Sequence, residues 1–268
     1  MTNQQPIGIF DSGVGGLTVA HAVSDLLPEE QLIYFGDSAH LPYGDKSAAT
    51  IQAYSIKICD VLLERGCKMI LIACNSASSA AYELIKAYVG SKAKVLNVID
   101  PVVTYVSQEY SNKKVGLIGT KQTIGSGVYD YQIKVKNPSI EVGSLATPLL
   151  VPMIEEGFHN DNISEAIISE YLKSEDLKNI EGLILGCTHY PLIKKEIQEH
   201  LNPKTEVIDS ALIVAKALKL FLSENDLAND KRVANNEFIV SDITPSFQKA
   251  ASLFFGSKIE LTQHKLWE

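Results

Sequence analysis

Met69-Ile70-Leu71-Ile72-Ala73-Cys74-Asn75-Ser76 is a short apolar run, rich in β-branched residues, that stops in a polar turn. Leu183-Ile184-Leu185-Gly186-Cys187-Thr188-His189 repeats the plan, with its cysteine 113 positions further on. Runs of this length that are apolar at successive positions read as strands buried on both faces, and so as members of parallel sheets. In open α/β sheets, ligands bind beyond the carboxyl ends of the strands. Two thiols at two such ends can face one small molecule from opposite sides.

Working outward, residues 7–10 read as a strand, and Asp11-Ser12-Gly13-Val14-Gly15-Gly16 as a turn into an apolar helix over 17–27 that Pro28 stops. A second strand follows at 31–35 and a helix at 46–65, with Gly66 in the favoured stop position. The strand at 69–73 then leads into a helix of small residues beginning near Ser76. This alternation predicts parallel sheets covered by helices.

The order recurs. Lys114 to Thr120 parallels Pro6 to Ser12, Leu183 to Cys187 parallels Ile70 to Cys74, and Val207 to Ser210 parallels Val98 to Pro101, at offsets of 108, 113 and 109 residues. One duplication accounts for all three. The expected fold is therefore α/β: two pseudo-symmetric parallel-sheet domains, 1–98 with 207–268 and 99–206, with the active site in the interdomain cleft. The stretch 237–266 reads strand, helix, strand and packs on one of them, and 223–236 reads as an exposed loop.

Composition bounds the partners. The chain has 268 residues, 46% hydrophobic and 21% charged, as ordinary globular proteins do. No apolar stretch approaches the roughly 18 residues of a membrane span, and the first six residues lack the features of a signal peptide, so a cytoplasmic protein is expected. In a reducing compartment the four cysteines are not expected to pair. Cys59 and Cys67 read as core residues, and no C-x-x-C spacing points to a metal. A net charge of −8 argues against nucleic acid, and no polybasic cluster recruits a membrane. Only Arg65 and Arg232 are arginines among 24 basic residues, so a bound anion is expected to rest on hydroxyls, amides and helix N-termini.

Opposed thiols can remove a proton from one face of a carbon and return one to the other, inverting a stereocentre. Cysteine suits this exchange because its free pKa, roughly 8.5, is within reach of neutrality. His189 lies two residues from Cys187, and a parallel sheet can set Asp11 beside the Cys74 strand. Each also has a plainer reading: strand-end cysteines are usually core, His189 alone reads as a structural histidine, and Asp11 as a turn or N-cap residue. The amides of the Gly13–Gly16 turn can cradle an anion, though full G-x-G-x-x-G spacing is absent. Leu41-Pro42-Tyr43-Gly44 reads as a turn, and Glu155 by default as a surface carboxylate. Two other classes remain open. Cys187 with His189 can form a nucleophilic pair for amide hydrolysis, which leaves Cys74 without a task. A non-catalytic amino-acid-binding module leaves the paired thiols unexplained.

Four ordered motifs, residues 7–17, 41–44, 73–78 and 186–192, strongly resemble those of the glutamate racemases of the cofactor-independent aspartate/glutamate racemase family, nearly end to end. The resemblance implies interconversion of L- and D-glutamate, without metal or pyridoxal phosphate, supplying D-glutamate for peptidoglycan. It implies Cys74 as the base for D-glutamate and Cys187 for L-glutamate, assisted by Asp11 and His189, with Glu155 a further contributor. It implies substrate binding by Asp11, Ser12, Pro42, Tyr43, Gly44, Asn75, Ser76 and Thr188, with Thr120 and Thr123 nearby, and a homodimer. Ser76 departs from the family's usual threonine but keeps the hydroxyl. The aspartate-specific branch typically carries glutamate where this chain has His189; racemisation of aspartate or another acidic amino acid is the alternative.

Overall fold

The computed structural model describes residues 2–158 and 161–267. The first half alternates strand and helix: β1 (Ile7–Asp11), α1 (Leu17–Leu26), β2 (Leu32–Gly36), α2 (Ala48–Glu64), β3 (Met69–Ile72), α3 (Asn75–Val89), β4 (Lys94–Asn97) and α4 (Ile99–Glu109). The second runs β5 (Lys114–Gly119), α5 (Lys121–Gly125), α6 (Val128–Lys136), β6 (Glu141–Ala146), α7 (Leu150–Glu155), α8 (Asn162–Leu172), β7 (Gly182–Gly186), α9 (Lys194–Glu199) and β8 (Glu206–Ile208). The chain ends with α10 (Ser210–Glu224), β9 (Glu237–Val240), α11 (Pro245–Phe255) and β10 (Leu261–Gln263). Among the described residues no helix is long and apolar enough to cross a membrane.

All pairings are parallel. The first sheet is ordered β10-β9-β2-β1-β3-β4 and the second β6-β5-β7-β8. The run β2-β1-β3-β4 thus matches β6-β5-β7-β8 strand for strand, which is the spatial form of the sequence repeat. The equivalence extends to the strand ends: the Asp37 amide donates to the Asp11 carbonyl (3.0 Å), and the Thr147 amide to the Gly119 carbonyl (2.8 Å). Central strands β1, β3 and β7 are buried at every residue, as their unbroken apolar runs require. β9 and β10 extend the first sheet, which settles where 237–266 packs. Residues 207 and 208 lie in β8 and so in the second sheet, not with the first as expected.

Helix starts follow the local chemistry. Ser47, Thr120 and Asp209 accept from the backbone amides of Thr50, Thr123 and Ala211 as N-caps. Cys74 stands at the same position for α3, its sulfur 3.4 Å from the Ala77 amide. The 223–236 segment is not simply exposed. α10 runs to Glu224, and Leu227 and Asn229 are buried. Asn229 donates its amide (2.8 Å) and side chain (3.1 Å) to Glu30, which also meets Lys68 Nζ at 2.6 Å. Burial lowers the Lys68 pKa and Glu30 partly restores it, so this buried pair needs every partner it has.

Candidate active site

The carboxyl ends of β1, β3, β5 and β7 converge on one cavity of about 220 Å³ between the sheets. Cys74, after β3, and Cys187, after β7, both line it. Ser12, Pro42, Tyr43, Gly44, Asn75, Ser76, Thr120, Glu155 and His189 share the wall. The Leu41–Pro42 bond is cis.

The two thiols have different neighbours. Cys187 Sγ lies 3.8 Å from His189 Nδ1, and His189 Nε2 lies 2.8 Å from Glu155 Oε1. Burial alone would lower the His189 pKa, but the hydrogen bonds to Cys187 and Glu155 outweigh it and push it up to about 10. Glu155 is therefore part of the site and not a free surface carboxylate. Cys74 Sγ lies 3.7 Å from Ser12 Oγ. Burial, reinforced by the charge of Asp11, pushes its thiol up to about 12, which favours the protonated thiol.

Asp11, Thr123 and Thr188 are not on the cavity wall. The Asp11 carboxylate accepts from the Gly13 amide at 3.0 Å and from the Thr188 hydroxyl at 3.3 Å, and the Gly16 amide also bonds it. Burial raises its pKa against the opposing pull of His189 and these donors. Two turn amides expected to cradle an anion are thereby used internally. Asp11 instead ties the turn after β1 to the turn after β7, and its charge opposes ionisation of Cys74. Thr123 stands behind Thr120, whose hydroxyl donates to it at 3.1 Å.

What faces the cavity is a set of uncommitted or bridging polar groups. Asn75 Oδ1 accepts from Tyr129 at 2.8 Å, while its buried Nδ2 has no partner among the described residues. Ser76 Oγ and Thr120 Oγ1 meet at 2.8 Å across the halves. The Tyr43 hydroxyl gives its proton to Asp37 (2.6 Å), so its ring and backbone form the wall. Lys121 and Asp45 also line the cavity and pair across the halves at 3.2 Å. Arginine is absent from the wall, in keeping with the scarcity seen in the sequence.

Sequence reasoning missed the 147–152 segment, of which Thr147, Pro148, Val151 and Pro152 line the cavity. It occupies, after β6, the place that 37–44 takes after β2. Extending the repeat to that strand pair would have found it. The helix after Cys74 is α3, of 15 residues, whereas Cys187 is followed by a short 3-10 turn, Tyr190–Ile193. The expected helix N-terminus is therefore present on one side only. Among the described residues no group of three His, Cys, Asp or Glu side chains is arranged to hold a metal ion.

Residues 17–218 match the Asp/Glu/hydantoin racemase family model. A glutamate racemase of Chlorobaculum parvum is 38% identical over 260 residues, covering 97% of this chain and 95% of that protein. One of Chlorobium phaeobacteroides is 40% identical over 259 residues, 96% of this chain and 95% of the other. The crystal structure of the Francisella tularensis glutamate racemase in complex with D-glutamate superposes with a TM-score of 0.93 at 40% identity, covering 99% of both chains.

Proposed function

The chain belongs to the Asp/Glu/hydantoin racemase family, and on that premise we propose that it interconverts L- and D-glutamate by two-base proton transfer between Cys74 and Cys187. The observation that carries this reading is that both strand-end thiols line one small cavity at equivalent ends of two equivalent sheets.

The chemistry follows from the groups on the wall. The Cys187 thiolate takes the α-proton of L-glutamate: a sulfur–hydrogen bond forms, the carbon–hydrogen bond breaks, and the electron pair stays on the substrate. The Cys74 thiol then delivers its proton to the opposite face, giving D-glutamate and a Cys74 thiolate. The reverse reaction exchanges the roles. His189, backed by Glu155, receives the thiol proton of Cys187 and keeps the ring oriented. Cys74, held protonated in the resting site, is ready to donate.

An α-carbon is a weak acid, so developing charge needs fixed donors in a dry site. The unpaired Asn75 Nδ2, the Ser12, Ser76 and Thr120 hydroxyls and the α3 N-terminus are the groups available. They also explain how a dicarboxylate is held without arginine. D-glutamate so formed would serve peptidoglycan synthesis.

Polarimetry of the purified protein with L-glutamate and with L-aspartate tests the assignment. Rotation should decay to zero with glutamate; faster decay with aspartate would overturn the glutamate assignment.

A further inference from the structure

We propose that Asp37 is a positioning residue for this reaction, holding the 41–45 wall of the cleft through Tyr43; the inference rests on the racemase reading. Asp37 follows β2 and is fully buried. One carboxylate oxygen accepts from the Tyr43 hydroxyl at 2.6 Å. The other accepts from Ser241 Oγ at 2.7 Å and meets His40 Nδ1 at 2.7 Å. A single side chain thus grips the turn at two points three residues apart and anchors it to the end of β9.

The grip faces the chemistry directly. Tyr43 lines the cavity, with Leu41, Pro42, Gly44 and Asp45 beside it. Burial, then the charge of Asp37, hold the Tyr43 pKa far above its usual value, so its hydroxyl stays a donor. On the far side His40 stacks on Tyr54 (4.5 Å) and meets the edge of Trp267 (5.1 Å). Among the described residues β9 has no counterpart in the second sheet, where Thr147 takes the place of Asp37. The C-terminal addition to the first sheet therefore supports the substrate wall as well as covering an edge.

The test compares Tyr43→Phe, Asp37→Asn and the double variant in full-length protein, with racemisation of L- and D-glutamate followed in both directions. A hydrogen bond to a charged group that fixes the wall should, when lost, raise KM about tenfold for both enantiomers, with kcat changed less. The double variant should be no worse than the more impaired single one, because both substitutions act on the same Tyr43–Asp37 hydrogen bond. As the only tryptophan in the chain, Trp267 gives a readout separate from turnover. Its emission should respond to D-glutamate with a midpoint that Tyr43→Phe moves to higher concentration. Should Asp37→Asn fail to fold, Tyr43→Phe decides alone, since it keeps the ring and removes only the hydroxyl. A KM within twofold of wild type, or additive losses in the double variant, would overturn the role of Asp37 while leaving the racemase reading intact. A wild-type protein that turns over neither enantiomer would overturn both.

Discussion

His189 Nε2 lies 2.8 Å from Glu155 Oε1, which leaves Nδ1 as the nitrogen that faces Cys187, 3.8 Å away. Among the described residues no imidazole stands beside Cys74 in this way; its sulfur meets the Ser12 hydroxyl and the Ala77 amide. Two sheets of matching topology therefore carry two thiols of unlike surroundings. Inversion of a stereocentre needs opposed groups, but it does not need identical ones.

That asymmetry predicts a defect that differs between the enantiomers in isotope effect but not in kcat/KM. Removing the imidazole by His189→Asn should lower kcat/KM about 10²-fold, the lower range for a lost acid–base partner. Because enantiomers are equal in energy, kcat/KM must fall equally in both directions. The asymmetry should appear in the α-deuterium isotope effect, which should grow for L-glutamate, whose proton Cys187 is proposed to take, more than for D-glutamate. Glu155→Gln, which keeps a hydrogen-bonding partner for the ring, should cost less, about tenfold. Equal isotope effects from both enantiomers in His189→Asn would contradict this assignment.

Stability should carry a mark of the same histidine. With its pKa pushed up to about 10 from 6.5, folded His189 binds its proton more tightly than the unfolded chain does. The resulting stabilisation is complete below about pH 6.5 and is lost as pH rises through about 10. Urea midpoints of wild type and His189→Asn should therefore converge as pH is raised across that window. A difference that stays constant would show that the His189 proton is not linked to folding.

Close packing behind the site supplies a third prediction. A Cβ on Gly15 would fall 2.3 Å from Thr188 Oγ1 and 2.4 Å from His189 Nδ1. Gly15→Ala should force both residues to move, destabilising the fold by about 1–3 kcal/mol. It should also lower kcat even at temperatures where the protein remains folded. Denaturation and activity measured side by side would separate the two losses; unchanged kcat in folded Gly15→Ala would contradict the packing argument.

Much of this was readable in the sequence because it is carried by short-range pattern. Unbroken apolar runs ending at Cys74 and Cys187 gave the buried central strands, and the recurring offset implied matching sheets. Most of the candidate wall followed from residues adjacent to strand ends. What the sequence withheld depends on which side chains meet across the halves. Asp11 and Thr188 bond each other rather than facing the cavity, a choice made by the approach of two turns 177 residues apart. The Thr147–Pro152 segment carries no charged or nucleophilic signal before Glu155, so only the fold reveals it as wall. Glu155 itself becomes informative only once His189 stands beside it. Residues 223–236 read as an exposed loop in the sequence, yet Glu30 draws Asn229 inward through contacts that span the chain.

Whether both thiols exchange the α-proton is decided by α-deuterium incorporation from deuterated water during turnover of L-glutamate, in wild type, Cys74→Ser and Cys187→Ser. The wild type should yield D-glutamate carrying deuterium at the α-carbon, and each single variant should lose that inversion by about 10³-fold or more. A Cys74→Ser variant that still racemises glutamate, or a wild type that inverts it without taking up solvent deuterium, would contradict the two-thiol account.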